Sequence, residues 1–523
     1  MYRANNTKQL LIICPGLVFS KNGVCFLLSS LAKRLYTNDY NVVLFDYTGQ
    51  GDSNGDYRDI SLSSIYSSFE EVYRYYSDIG YNSFILIGYG IGNSICMRYH
   101  GCKHIDFIGL IDFDIDILYF KESILKQIEE LPEYFEEEIT VSDFGRLMRT
   151  LVGITPWYRY HPVSKELIID FFYQLEQMGL KVCNKTLFEI TVFADQRNKN
   201  AAHFHCEKFK SLDWKYWDEF TEWPVVANKL LDFIIKSFIS DCPIPVDSVF
   251  KPAIRFAVNE RVIPICIKWK KDTMLGIIHV PNGIPGKRYP CIIYEPGLGG
   301  DRTDHFNSGV LLGRVASDNN ICLVRYDFTG VGLSEGSFDD YNWDRRKEQF
   351  SDLVKSLHSL TYVDENQIYV VSFSEGAKLA LIAAQCHSHV RGIVMWSPII
   401  RQLERIDHMK LNNKKRCKFN WRKSIIKMPQ GLVIPLQGHY LKLSYLNDSD
   451  KHHYIRILQK LKKNTLIIYG VDDVLFDRLL LQENVNNCIS SIGLQDVHLF
   501  GYKNMINSIH KTINWVKAAT SVT

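Results

Sequence analysis

The sequence carries almost no excess charge. Its 61 Lys and Arg stand against 58 Asp and Glu, a formal net charge of +3 over 523 residues, and so weak a field argues neither for nucleic acid nor for a membrane surface. It has no Cys-x-x-Cys pair. The 13 cysteines, an odd number, are scattered through strand-like and helix-like stretches, as at Cys14, Cys96, Cys291 and Cys322. That is how reduced, buried thiols look, so a cytoplasmic location is expected. No apolar run is long enough to span a bilayer. The stretch Leu10 to Phe19 is broken by Pro15 and Gly16 and lacks a cleavage-site pattern, so it reads as strand and turn, and neither signal peptide nor membrane span is expected. No cofactor and no metal are expected either.

What the sequence does have is one order of motifs that occurs twice. At about 150 to 250 residues per α/β domain, the length suggests two large domains. Gln9 to Cys14 reads as a strand followed by Pro15-Gly16-Leu17, then a helical pattern through Phe26 to Leu35. Asn41 to Phe45 is the next strand and ends in the turn-rich Asp46 to Gly55; a helix through Ile65 to Tyr76 and a strand at Ser83 to Ile87 follow. Strands alternating with helices at this rhythm imply βαβ crossovers and a mostly parallel sheet. The order returns at Pro290 to Glu295 with Pro296-Gly297-Leu298, and at Ile321 to Tyr326 with Asp327 to Gly336. Gly16 and Gly297 are 281 apart (297 − 16), as are Asp46 and Asp327 (327 − 46), and Gly90 and Ser374 are 284 apart (374 − 90). An internal duplication is the expectation: domains at 1–241 and 246–523, joined at Asp241 to Pro245, where two prolines follow the helical pattern Val225 to Ile239. The second half opens with extra strand-like segments, Ala253 to Val258, Val262 to Trp269 and Gly276 to Val280.

Val370 to Leu379, V-V-S-F-S-E-G-A-K-L, is a strand running into a tight turn and a helix. Such a turn thrusts a hydroxyl forward from Ser374, needs small residues two positions either side, and sets a helix N-terminus behind developing negative charge. Ser372 and Gly376 meet the size rule. Together with E-P-G-L-G-G-D-R (Glu295 to Arg302), Y-D-F-T-G-V-G-L-S-E-G (Tyr326 to Gly336) and Y-G-V-D-D (Tyr469 to Asp473), these residues resemble the α/β-hydrolase superfamily, in its lid-bearing esterase and serine-aminopeptidase-like branches. The resemblance implies two tandem α/β domains, each a mostly parallel sheet flanked by helices with a helical lid insertion.

It also implies catalytic residues. In the second copy Ser374 is the nucleophile, the backbone N–H groups of Leu298 and Glu375 form the oxyanion hole, and Asp473 holds the acid position, with Asp472 the alternative. The family's base follows the last strand, three residues after a Gly. With Val497 to Phe500 read as that strand, the position falls on Asn504, whose amide is not a useful base. His498, six residues earlier and roughly 20 Å back along an extended strand, and His510, about 9 Å along a helix, serve only if the loop is built unusually. In the first copy the apex is Gly90 of Gly88-Tyr89-Gly90-Ile91-Gly92. A candidate acid, Asp195, follows the strand Thr186 to Phe193, but Leu212 to Phe220, the stretch for the base, contains no His. This copy is expected to be a degenerate, pseudo-hydrolase partner.

The lid insertions, about 117–180 and 401–460, differ in charge. The first carries Glu122, Glu129, Glu130, Glu133, Glu136, Glu137, Glu138 and Asp143; the second carries Arg401, Arg405, Lys410, Lys414, Lys415, Arg416, Lys418, Arg422, Lys423 and Lys427, with Phe419 and Trp421 interleaved. Solvated faces, docking within the chain or across a homodimer, and reception of an anionic carrier-protein or coenzyme A group are the three readings. The functional expectation is an esterase, thioesterase or acyltransferase working through Ser374 on a small acyl substrate. The alternative is a double pseudoenzyme that binds or scaffolds.

Overall fold

The computed structural model describes residues 7–99 apart from 18–19 and 24–25, then 102–111, 121–135, 147–148, 151, 163–182, 187–195, 204–209, 231–232 and 234–235. From 262 it describes the chain to 400 apart from 283–285, then 410–411, 417–418, 425–449 apart from 430 and 437–438, 454–476 apart from 474, and 488–521. The chain divides into two compact units, Met1–Phe256 and Ala257–Thr523. The expected linker Asp241 to Pro245 and the strand-like Ala253 to Val258 lie outside the described residues.

In the first unit the elements are β1 (Gln9–Cys14), α1 (Leu27–Thr37), β2 (Val42–Leu44), α2 (Leu62–Asp78), β3 (Ser83–Tyr89), α3 (Gly92–Arg98), β4 (Ile105–Ile111), α4 (Lys121–Glu129), α5 (Lys165–Val182), β5 (Leu187–Asp195) and β6 (Phe204–Phe209). The strands form a parallel sheet in the order β2-β1-β3-β4-β5-β6. Central strands of a parallel sheet are covered on both faces and therefore read as continuous apolar runs. Thus Leu11 and Ile13 of β1 pack with Leu28, Leu31 and Leu35 of α1, while Leu10 and Ile12 share a core with Ile65 and Phe69 of α2. On α4, Ile124 and Ile128 are buried and Glu122 and Glu129 are exposed, whereas Glu136, Glu137, Glu138 and Asp143 lie outside the described residues.

The second unit contains β7 (Val262–Trp269), β8 (Asp272–His279), β9 (Tyr289–Glu295), α6 (Ser308–Asp318), β10 (Cys322–Tyr326), α7 (Trp343–Ser356), β11 (Val363–Phe373), α8 (Ala377–Cys386) and β12 (Val390–Trp396). An insertion follows, and then β16 (Asn464–Gly470), β17 (Ile489–Leu494) and α11 (Tyr502–Ser521). The sheet order is β17-β16-β12-β11-β9-β10-β8-β7. The β7–β8 hairpin is antiparallel, β8 pairs antiparallel with β10, and every other pair is parallel. The sheet is thus mostly parallel, with helices between its strands, as expected. Its switch in strand order, with β9 between β10 and β11, opens the crevice at the strands' C-terminal ends where open α/β sheets carry their sites.

The described part of the second insertion differs from the helical lid expected. It holds a short antiparallel strand pair (Lys410–Leu411 with Cys417–Lys418), then a three-stranded antiparallel sheet, β13 (Ile426–Met428), β14 (Gly431–Leu436) and β15 (His439–Lys442), followed by α9 (Leu443–Ser449) and α10 (Tyr454–Lys460). Val433 and Ile434 are β-branched residues buried on β14, which suits a half-buried strand better than a helix. Most of the basic run, including Arg401, Arg405, Phe419 and Trp421, lies outside the described residues. Among the described residues no helix is long and apolar enough to cross a membrane. Cys14, Cys96, Cys291 and Cys322 are buried and free of disulfides.

Both units build the turn after their second parallel strand alike. Asp327 accepts bonds from the backbone N–H of Arg302 at 2.7 Å and of Leu333 at 3.0 Å and pairs with the Arg302 guanidinium; Ser334 Oγ donates to its carbonyl at 2.7 Å. Asp46 accepts from the backbone of Lys21 and of Asp52, pairs with Lys21 Nζ, and receives Ser53 Oγ at 2.7 Å. Gly332 (φ +50) and Gly51 (φ +52) turn the chain against these carboxylates. Because Asp327 is fully buried, Asp327→Ala removes the carboxylate that pairs with the buried Arg302 guanidinium and that takes the backbone N–H groups of Arg302 and Leu333. It should lower the unfolding free energy by about 3–5 kcal/mol, read as a drop in the urea midpoint of the second unit's transition.

Candidate active site

The sharp turn at the end of β11 is set by close packing. Ser374 sits at φ +52, in the left-handed region that costs a non-glycine residue about 1 kcal/mol or more. A Cβ at Gly376 would lie 2.6 Å from the Pro296 carbonyl oxygen and 2.9 Å from that of Glu295, so only glycine fits. Ser372 is fully buried, with Oγ 3.4 Å from the Val394 carbonyl. The size rule read from the motif thus follows from how tightly the turn lies on the end of β9. The Pro296–Gly300 turn lies beside the nucleophile, since a Cβ at Gly297 would stand 3.4 Å from that of Ser374. The next residue is Leu298, whose N–H, with that of Glu375, is the candidate oxyanion donor.

Asp473 lies just past β16 and is buried. Its Oδ1 accepts the backbone N–H of Leu475 at 2.8 Å and of Phe476 at 3.2 Å, which fixes the carboxylate plane and turns Oδ2 toward His498. His498 Nδ1 is 2.9 Å from Asp473 Oδ2, and its Nε2 is 3.0 Å from Ser374 Oγ. An ionised carboxylate only accepts, so the ring proton sits on Nδ1 and leaves the Nε2 lone pair facing the serine hydroxyl. Asp472, the alternative acid, is exposed and takes a bond from Gln495 Nε2 at 2.7 Å instead.

The position of His498 corrects the sequence reading. Val497 to Phe500 is not the last strand. That strand is β17, Ile489–Leu494, an edge strand with exposed Ser490 and Ser491, so it lacks the apolar run by which a buried strand is recognised. His498 therefore lies four residues beyond the strand, in the loop, and not 20 Å back along it. The loop is stitched to the acid's turn by Val471 N to Leu494 O at 2.8 Å and Asp472 N to Asp496 O at 2.9 Å. It approaches so closely that a Cβ at Gly470 would fall 2.4 Å from the carbonyl oxygens of Asp496 and Val497. Asn504 occupies no base position. It is in the first turn of α11 and donates to Asp496 Oδ2 at 2.9 Å and the Gln495 carbonyl at 3.1 Å, while Gly501 N donates to the same carboxylate oxygen at 2.7 Å. Asn504 thus braces the loop that carries His498. His510 is exposed two turns farther along α11.

A buried charged layer that the sequence reading missed lies beneath the turn. Arg346 on α7 donates to Glu295 Oε1 at 2.6 Å, to Glu375 Oε2, to Tyr445 Oη at 2.7 Å and to the Pro296 carbonyl at 3.2 Å. Tyr326 donates to Glu295 Oε2, and the Lys378 ammonium is 3.9 Å from Glu375 Oε1. All six side chains are buried. Burial pushes the Glu295 carboxyl up to about 7 against the opposing pull of Arg346. In W-D-R-R-K the arginine reads as one more solvated helix charge; the one signal available was an acid in each of the two motifs, E-P-G and S-E-G.

In the first unit the same backbone turn is present with nothing at its apex. Gly90 sits at φ +58, and a Cβ at Gly92 would lie 2.0 Å from the Cys14 carbonyl oxygen. Asp195 ends β5, and Leu212 to Phe220 lies outside the described residues.

The Glu295 shift has a sign that can be tested. Its folded value of about 7 exceeds the ordinary 4.5, so the folded protein holds a proton the unfolded chain has released. The associated stability is complete below pH 4.5 and is lost as pH rises toward 7. Relative to Glu295→Gln, which does not titrate, the wild-type urea midpoint should fall between pH 5 and pH 7; a parallel pair of profiles would contradict this.

Comparison with known proteins adds little at the level of sequence: no protein-family model and no curated protein matches the chain. Among solved structures, the chain is similar to Est1E from Butyrivibrio proteoclasticus with bound ferulic acid (17% identity, TM-score 0.40, covering 49% of this chain and 99% of that one). It is similar also to the α/β hydrolase GrgF from Penicillium sp. sh18 (16%, TM-score 0.39, 50% and 99%) and to a thioesterase domain from the curacin biosynthetic pathway (12%, TM-score 0.33, 49% and 99%). With likeness of this extent, the chemistry has to be argued from the geometry of the site.

Proposed function

We propose that the second unit is a serine-dependent acyl hydrolase or acyltransferase acting on esters or thioesters, and that the first is a hydrolase-like copy that lacks a nucleophile. The observation that carries this reading is the run of contacts from Asp473 through His498 to Ser374, at 2.9 and 3.0 Å. Three side chains that meet in the order acid, base, nucleophile at hydrogen-bond distance have the roles of a catalytic triad, which is recognised by geometry. The likeness of the two units rests on the 281-residue spacing, which recurs in the Asp46 and Asp327 turns described above.

The chemistry follows from those contacts. His498 Nε2 takes the Ser374 proton as Oγ bonds to the acyl carbon, and the carbonyl electron pair moves onto oxygen as an oxyanion facing the N–H groups of Leu298 and Glu375. Collapse of this intermediate expels the alkoxide or thiolate, which takes the proton from His498 and leaves an acyl ester on Ser374. Water, or an alcohol or amine acceptor, then gives its proton to Nε2 and repeats the sequence with Ser374 as the leaving group. Asp473 holds the imidazole and stabilises its charged form without taking the proton. Whether the second acceptor is water or another nucleophile depends on how far the insertion excludes solvent.

A fluorophosphonate probe with peptide mapping tests the reading. Wild type should be labelled at Ser374 alone, and p-nitrophenyl ester turnover should fall by about 10⁴-fold or more in Ser374→Ala, His498→Ala and Asp473→Asn. His510→Ala should match wild type. A folded protein that is neither labelled nor active would instead favour a double pseudoenzyme that binds without catalysis.

A further inference from the structure

The charged layer under the turn has a built-in comparison in the same chain. Counted back by the spacings of the two units, Glu295 corresponds to Cys14, Tyr326 to Phe45, Tyr341 to Ile60 and Arg346 to Ile65, and, with the elbow's own spacing, Glu375 to Ile91 and Lys378 to Ser94. The correspondence holds in three dimensions. Glu295 pairs with Ser372 on the neighbouring strand, and Cys14 pairs with Gly88. The backbone N–H of Arg346 bonds the carbonyl of the helix-capping Asn342, and that of Ile65 bonds the capping Ser61. All six positions are buried in both units. The unit with a serine at the apex fills them with two carboxylates, two cations and two phenols; the unit with a glycine there fills them with a thiol, an aromatic ring, three isoleucines and a serine.

Burying a charged group carries a desolvation cost that its pairing rarely more than offsets, and apolar replacement of a buried ion network is often neutral or stabilising. The first unit holds the same turn, with Gly90 at φ +58 and Gly92 against the strand end, on an apolar layer. The fold of this layer therefore does not require the charges. What they do differently is directional. The Arg346 guanidinium bridges Glu295 at the end of β9 to Glu375 immediately after the nucleophile, and also holds the Pro296 carbonyl, two residues before the Leu298 N–H. Tyr341 stacks on Tyr445 at 5.4 Å between ring centres; Tyr445, from α9 of the insertion, completes the bridge to Glu375 at 3.2 Å. Planar, forked donors fix both partners' orientation as an apolar contact does not.

We propose that Arg346, with Glu295 and the Glu375 carboxylate, is a positioning group for the oxyanion site: it locks the Pro296–Gly300 turn and the Ser374 turn at one fixed separation, so that the two N–H donors converge on a single oxygen. The functional part of this inference rests on the acyl-transfer reading above; the positional part does not. The network is the part of the second unit's buried layer that serves the reaction rather than the fold.

The test transplants the first unit's solution. A variant carrying Glu295→Cys, Tyr326→Phe, Tyr341→Ile, Arg346→Ile, Glu375→Ile and Lys378→Ser should fold with a thermal midpoint at or above that of wild type. Its kcat on a p-nitrophenyl ester should fall about 100-fold or more, the scale of losing one oxyanion donor, with KM within about threefold. Hydrogen exchange should rise in peptides covering residues 296–300 and 374–376 and stay unchanged in β12 and β16. Glu375→Gln, which keeps the shape and loses the charge, is the second variant. It should fold and lose about tenfold in kcat at constant KM, and Arg346→Lys should fail to match wild type because a single ammonium cannot bridge both carboxylates. Unchanged kcat in a folded transplant or in Glu375→Gln, or unchanged exchange at 296–300, overturns the proposal. If wild type itself neither turns over nor labels, the acyl-transfer reading falls, and the exchange measurement still decides whether Arg346 holds the turn.

Discussion

The second unit's site depends on a contact too close for any side chain: the turn after β11 lies on the end of β9 so tightly that Gly376 has carbonyl oxygens 2.6 and 2.9 Å from where its Cβ would be. That contact forces the chain through a left-handed residue at Ser374 and starts α8 directly behind it. It also brings the Pro296–Gly300 turn against Ser374, so that the proposed nucleophile and oxyanion donors arise from one packing event rather than from separate elements. The first unit keeps the same constraint, with Gly92 against Cys14. The turn is therefore a property of this sheet topology, and the chemistry is an addition to it.

Around the turn, two kinds of support work differently. The candidate acid and base are held by backbone: Asp473 by two N–H groups at its Oδ1, and the His498 loop by bonds from Val471 and Asp472 to Leu494 and Asp496. The nucleophile side is held by buried charge, through Arg346 and its two carboxylates. Buried ions are costly, and at the six positions under the turn they occur in the second unit while the first fills the same positions without them, which is the contrast the positional proposal rests on.

Much of the architecture was legible before any coordinates. The β1 and β7 boundaries read from the sequence coincide with those in the structure, and Ser374 and Asp473 stand in the turns their motifs suggested. The failures have physical causes. His498 reads as lying on the last strand, and as a base only in an unusual loop, because β17 is a half-exposed edge strand whose polar face hides it, which moves the apparent end of the sheet to Val497–Phe500. Asn504 falls at the base position only because the count runs from the wrong strand end, whereas it braces the loop that carries His498.

What the sequence determined by itself is local: the βαβ rhythm, the glycines and serines that permit the tight turns, and the absence of a side chain at Gly90. Each of these is written within a few neighbouring residues, where apolar periodicity and steric limits act. Only the tertiary structure decided which residues meet. Ser374 and His498 are 124 positions apart, Arg346 reaches Glu295 across 51 and Tyr445 across 99, and no local pattern encodes contacts between side chains brought together by sheet order. The contacts of His498 and Arg346 emerge only when strands distant in sequence end at the same edge of one sheet.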